Sequence, residues 1–286
     1  MRSIDYSTQV CAVIGNPVAH SLSPAIHNAA YEALDLDFVY VACPTEDAKG
    51  ALTGMRAIEN FRGLSVTIPH KIEVMKHVDE IAQVDRAIGS INTVIHDGDK
   101  LIGLSTDGPG ALKALADNGV ELAGKNVLML GAGGAARAIS FTIARSTPRA
   151  EMCLLDIDEA VLRKLAADLD ANTDAIVKPM ISSNRSLAEA MQTADIVIHC
   201  TPVGMHPNVG ASPIPPELFR PGQVVFDVVY TPLETKLLTD AKSRGLKTIS
   251  GVEMFVNQAA LQFEHFTGIE APVEVMRRVV MDRLTS

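Results

Sequence analysis

Two sets of residues in this chain could do chemistry. The first is the run Lys125-Asn-Val-Leu-Met-Leu-Gly131-Ala132-Gly133-Gly134-Ala135-Ala136, which reads as a buried strand, a glycine turn and the start of a helix. In that order the residues suit a pyrophosphate. Gly131 permits the tight turn, Gly133 lets an anion approach the backbone, and Ala136 lets helix pack closely on strand. The N–H groups that open a helix then face the negative charge. The same string also serves as an ordinary glycine-rich loop.

About twenty residues further on, the strand-like run Glu151–Asp156 ends on a carboxylate that could accept hydrogen bonds from both hydroxyls of an adenosine ribose. Asp158 lies close behind, and position 157 is Ile157 rather than an arginine. A phosphate on the 2′ oxygen would meet like charge there, so these residues predict NAD as the cofactor, with NADP less favoured. The plainer reading is that Asp156 caps the helix that follows.

The second set lies upstream: Ser21, Ser23, Ser65, Thr67, Lys71, Asn92 and Asp107. Together they offer hydroxyls, one amide, one ammonium and one carboxylate, which suit a small polyhydroxylated acid. Taken singly, each has a plainer explanation. The serines and Asp107 could be helix caps, Asn92 a turn residue, and Lys71 a solvated surface charge.

The elements that must position these groups alternate. Strands are predicted near 9–15, 38–43 and 63–68, a helix opens at Ser23-Pro24, and a hairpin turns at Asp97-Gly98. Asp107-Gly108-Pro109 begins another helix. From Lys125 the alternation has the pattern of a parallel sheet, with later strands in 195–201 and 223–230, and the final 36 residues, from Gly251, read as helical. The predicted division is therefore 1–107 for a substrate-binding catalytic domain, 108–250 for a dinucleotide-binding domain, and 251–286 for helices that return to the first.

A chain of 286 residues that is 47% hydrophobic can fill two cores. Its net charge of −9, with no basic run, argues against nucleic acid or an anionic membrane as the main partner. Cys11, Cys43, Cys153 and Cys200 have no CxxC spacing and read as reduced thiols. The histidines show no metal-ligand spacing, so no metal is expected. No apolar stretch reaches spanning length and no signal-peptide pattern opens the chain, so a cytoplasmic enzyme is expected, as a monomer or a homodimer.

Gly15-Asn-Pro-Val-Ala-His-Ser-Leu-Ser-Pro-Ala-Ile-His-Asn28, Val66-Thr-Ile-Pro-His-Lys71, Ile91-Asn-Thr93 and Ser105-Thr-Asp-Gly108 resemble, in order, the signatures of shikimate dehydrogenases. The resemblance continues through Gly131–Ala135, Thr201–Met205, Asp227–Pro232 and Gly251–Gln258. It implies an α/β enzyme whose N-terminal substrate domain is joined to a Rossmann-type domain, with catalysis in the cleft. It implies that Lys71 and Asp107 are the catalytic pair and that Ser21, Ser23, Thr67, Asn92, Tyr230 and Gln258 contact substrate. Ser65 is counted with these. Val228 and Gly251 lie near the nicotinamide, and Gly131, Ala132, Gly133, Gly134, Ala135 and Asp156 hold the remainder of the dinucleotide.

Some positions depart from the family pattern. Ser65 and Ser105 stand where many members carry asparagine. Asp156-Ile157-Asp158 replaces the Asn-Arg-Thr string of NADP-using members, so this locus resembles NAD-using quinate/shikimate dehydrogenases. Shikimate is the expected substrate, with quinate as the alternative. A non-catalytic dinucleotide sensor is the reading from another class, and intact Lys71, Asp107, Asn92 and Gln258 argue against it.

Overall fold

The computed structural model describes residues 4–285. The chain forms two compact units, one running through Thr106 and resuming at Val256–Leu284, the other spanning Asp107–Phe255. The division falls inside the first C-terminal helix rather than at its first residue.

In the first unit, β1 (Gln9–Gly15) pairs in parallel with β2 (Phe38–Pro44) and β3 (Phe61–Val66). β5 (Thr93–Asp97) runs antiparallel to both β3 and β6 (Lys100–Leu104), and the two-residue β4 (Glu80–Ile81) closes the order β2-β1-β3-β5-β6-β4. Residues Cys11 to Gly15 are all buried, as a strand covered on both faces requires. One face holds an aliphatic core of Ile14, Leu52, Met55, Leu64, Val66 and Ile91, covered by α2 (Ala48–Ala57). An aromatic cluster forms elsewhere: His27 and Tyr31 of α1 (Ser23–Ala33), Tyr40, Phe263 and Phe266. Burying each large ring contributes about 1.5–3 kcal/mol. The short α3 (Gln83–Ile88) precedes β5.

The second unit begins with α4 (Asp107–Asp117) and carries a parallel sheet in the order β12-β11-β10-β7-β8-β9. Its strands are β7 (Asn126–Leu130), β8 (Glu151–Asp156), β9 (Ile176–Ile181), β10 (Ile196–His199), β11 (Val224–Asp227) and β12 (Lys247–Ile249). Between them run α5 (Gly134–Ser146), α6 (Glu159–Asn172), α7 (Asn184–Met191) and α8 (Lys236–Ser243). The order reverses between β7 and β10, and open α/β sheets bind ligands beyond the strand ends at such a point. β9 carries Pro179, which its edge position tolerates because it has a neighbour on one side only. The tail forms α9 (Gly251–Thr267) and α10 (Val273–Thr285). Among the described residues no helix is long and apolar enough to cross a membrane.

Candidate active site

In the first unit the polar residues are set by the ends of β3, β5 and β6. The segment after β3 is fixed through its backbone: Thr67 N donates to Ile14 O at 2.9 Å, and Asn16 N donates to Ile68 O at 3.0 Å. Ile91 N donates to the carbonyl of Lys71 at 3.0 Å, and Val66 N to that of Asn92 at 2.7 Å, which puts the two predicted site segments side by side.

Asn92 is buried and fully engaged. Its Oδ1 accepts from Thr106 N and from the Thr93 hydroxyl, each at 2.8 Å, while Nδ2 donates to Thr106 Oγ1 at 3.0 Å and to Gln258 Oε1 at 3.3 Å. A turn residue would not be held this way. Asn92 and Gln258 are thus hydrogen-bonded partners, and Asp107 is the residue immediately after Thr106.

Ser65 is held in a buried network. Its hydroxyl accepts from Tyr40 Oη at 2.6 Å and donates its single proton to Gln262 Oε1 at 2.7 Å. Gln262 Nε2 then donates to Asn92 O at 3.1 Å and Thr93 Oγ1 at 2.9 Å. Sequence reasoning missed Gln262, although a glutamine one helical turn after Gln258 on an otherwise apolar stretch is a readable signal.

Ser23 is the first residue of α1 rather than its cap: the cap position is Leu22, with no side-chain bond, and Ser21 Oγ accepts from Ser23 N at 3.3 Å. The side chain of Ser23 is thus not used as a cap, although the residue is buried. His70, next to Lys71, is committed to Thr45 O at 2.7 Å.

In the second unit the glycine turn is open at the start of α5. Gly131 has φ +105°, and a Cβ there would meet Cys200 O and Thr201 Cγ2 at 3.1 Å. At Gly133 and Gly134 a Cβ would meet nothing within 4 Å, and α5 starts without a side-chain cap. An open surface of backbone N–H groups at a helix start fits an anion.

Asp156 is turned onto this backbone. Its Oδ2 accepts from Ala132 N at 2.6 Å and its Oδ1 from Asp158 N at 2.8 Å. The cap of α6 is Asp158, which accepts from Ala160 N and Val161 N. Each Asp156 oxygen therefore has a partner within the chain, which anchors the carboxylate to the glycine turn and to the start of the β8–α6 connection.

Beyond β11, Val228 N donates to His199 O at 2.9 Å, and Tyr230 stacks on Phe255 with centroids 4.9 Å apart. Burial pushes the Tyr230 phenol above its ordinary pKa, keeping it a neutral donor. A Cβ on Gly251 would lie 2.3 Å from Val228 O, so only glycine lets α9 start against this loop. The four cysteines are free, and burial raises the pKa of each.

The shikimate dehydrogenase substrate binding domain model matches residues 13–94, and the shikimate 5′-dehydrogenase C-terminal domain model matches 251–281. Shikimate dehydrogenase (NADP(+)) of Moorella thermoacetica is 40% identical over 99% of this chain and 96% of its own length. A crystal structure of a shikimate dehydrogenase in complex with NADP+ aligns with TM-score 0.88 at 37% identity, covering 99% of this chain and 98% of the other. That of shikimate 5-dehydrogenase from Listeria monocytogenes, in complex with shikimate and NAD, aligns with TM-score 0.93 at 33% identity, covering 98% and 99%.

These findings correct the expected cofactor. The relative matched along nearly its whole length is named for NADP(+), and a similar structure holds NADP+, which overturns NAD as the main dinucleotide. The carboxylate of Asp156, read in the sequence as a ribose acceptor, is bonded instead to the glycine turn and the β8–α6 connection. With 40% identity over 99% of the chain, and both domain models matched within it, this protein belongs to the shikimate dehydrogenase family.

Proposed function

We propose that the protein interconverts shikimate and 3-dehydroshikimate with NADP as its dinucleotide. The observation that carries this reading is the bond of buried Asn92 to Gln258, beside the Lys71 segment. It fixes the Gln258 amide next to the segment whose lysine amine would exchange a proton with an alcohol oxygen. When bound at the glycine turn, NADP supplies the centre that accepts or returns hydride. Lys71 takes the proton from the alcohol oxygen during oxidation and returns it during reduction, with Asp107 as its carboxylate partner. Ser21, Ser23, Thr67 and Tyr230 bind the remaining polar groups of the substrate, and Val228 and Gly251 border the nicotinamide. Ser65 supports this wall through Gln262 rather than touching substrate.

The test is NADPH absorbance with shikimate and NADP+ as reactants. Appearance of NADPH at a rate proportional to enzyme is expected. A protein that binds NADPH but turns over neither shikimate nor quinate would instead be the non-catalytic dinucleotide binder.

A further inference from the structure

The C-terminal ends of β10 and β11 hold a buried polar group that the reaction scheme does not use. His199, Asp227 and Thr235 are each 0% exposed. Asp227 Oδ2 accepts from the Thr235 hydroxyl at 2.6 Å, and Oδ1 accepts from Val229 N at 3.0 Å while facing His199 Nδ1 at 2.9 Å. A carboxylate has only acceptors to offer, so Nδ1 carries the hydrogen. In the neutral tautomer Nε2 then accepts from Thr201 Oγ1, its partner on the other side. Thr201 Oγ1 in turn accepts from Val203 N at 3.3 Å.

With this tautomer the chain has one polarity from end to end. Val203 N–H points to Thr201, Thr201 to His199, and His199 to Asp227, where Val229 N–H and Thr235 converge. One buried imidazole thereby links the backbone of the loop after β10 to the backbone of the loop after β11.

Those loops occupy a definite part of the sheet. Thr201 lies against Gly131 across the point where strand order reverses, so the glycine turn and the β10 loop form opposite walls of that crevice. Asp156 and β8 lie on the adenosine side of the glycine turn, which leaves the β10 and β11 loops for the other mononucleotide half. A simple apolar packing there would bury the same volume without fixing either loop. A satisfied polar chain fixes both, because each member left unpartnered in a dry interior is penalised.

We propose that the Thr201–His199–Asp227–Thr235 chain, with His199 as its central positioning residue, sets the two loops that receive the nicotinamide half of the dinucleotide. This rests on the dinucleotide reading given above, and its test is a binding measurement rather than turnover alone. NADPH fluorescence titration of the full chain is compared for wild type, His199→Leu, Thr201→Val and the double variant, with the thermal midpoint recorded for each.

Each single variant is expected to weaken NADPH binding about fivefold or more, the worth of one buried hydrogen bond. The double variant is expected to lose little beyond either single one, since both break the same link. The loss should appear in KM for NADP+, with KM for shikimate changed less than about twofold. Thr201→Val keeps its volume and removes one hydroxyl, so it reports even if His199→Leu fails to fold. A folded Thr201→Val with unchanged NADPH affinity, additive losses in the double variant, or a lowered thermal midpoint with both KM values unchanged would each overturn the proposal. Wild type that binds NADPH without oxidising shikimate would sink the activity reading and leave this one standing, whereas wild type that does not bind NADPH would sink both.

Discussion

Gln262 donates from Nε2 to the carbonyl of Asn92 at 3.1 Å, one turn along α9 from Gln258, whose Oε1 accepts from the Asn92 amide at 3.3 Å. Two glutamines on one helix thus hold a single asparagine by its backbone and by its side chain. Only Gln258 is expected to meet substrate. Gln262→Leu should therefore lower stability by about 1–3 kcal/mol, because Ser65, Thr93 and the Asn92 carbonyl each lose a buried partner. Ser65→Ala should lower it by about 1 kcal/mol and reduce kcat/KM for shikimate by less than about threefold. Urea unfolding with parallel kinetics checks both, and a large loss of kcat/KM in stable Ser65→Ala would return Ser65 to the substrate contacts.

Lys71→Met should lower kcat by roughly 10²–10⁴, the range that proton transfer by a placed side chain supplies, and leave the fold intact. The Lys71 carbonyl, not its side chain, makes the bond to Ile91 N that fixes this segment. Stopped assays with high enzyme concentration and a circular dichroism spectrum decide the matter: a folded variant with most of its turnover removes Lys71 from the chemistry.

Ser23 is buried and its side chain is not used as a helix cap, so one added methyl group there changes a confined space. The wild type should prefer shikimate to quinate, since an added hydroxyl is rejected by only about 10²-fold in such sites. Ser23→Thr should move the ratio of kcat/KM values toward quinate. Parallel assays of the two acids at saturating NADP+ measure it, and a wild-type preference for quinate would reverse the assignment.

Gly251→Ala should destabilise the protein by about 1–3 kcal/mol, because the new methyl group would sit 2.3 Å from Val228 O and 2.6 Å from Val229 O. NADPH affinity should fall with it as the loop after β11 is displaced. Thermal unfolding with fluorescence titration reads both, and an unaffected midpoint would show that the start of α9 can yield.

His27 gives the stability an acid limb. Burial lowers its pKa from 6.5 to about 3, and neither ring nitrogen has a hydrogen-bond partner; the ring stacks on Tyr40 at 4.3 Å instead. The unfolded chain binds this proton below pH 6.5 and the folded chain does not until about pH 3, so stability is complete above 6.5 and falls as pH falls between these values. From pH 6.5 to 5 this group alone should remove about 2 kcal/mol. His27→Phe keeps an aromatic ring and abolishes this contribution. Urea midpoints at the two pH values test it: an equal acid loss in both proteins would exonerate His27.

Much of the fold was legible because its strands announce themselves by apolar runs and its turns by glycine and proline. β1, β2, β7 and β8 lie where those runs place them. β4 and β12 were missed, having two and three residues, too few to show a period. The site was legible where a motif fixes a local shape, as at Gly131–Gly134, and illegible where a side chain chooses among partners distant in sequence. Asp156 illustrates the second case: its charge was visible, but not the Ala132 N–H, 24 positions earlier, that claims it. Ser65 and Gln262 are 197 positions apart, and no local pattern in either reveals the other. His199 and Asp227 had a fainter signal, each being a polar residue that closes an otherwise apolar strand.

Pro179 on β9 bears on how the molecule behaves in a crowd. The rim of the second sheet exposes Ile176 and Ile181, side chains that would favour docking of a foreign strand. Between them stand a proline that has no N–H to give and Lys178, paired with Glu189 at 2.8 Å. An incoming chain would meet an interrupted ladder and a charge it must strip of its partner. Fibrous growth by strand addition is blocked at that rim by two residues that take no part in catalysis.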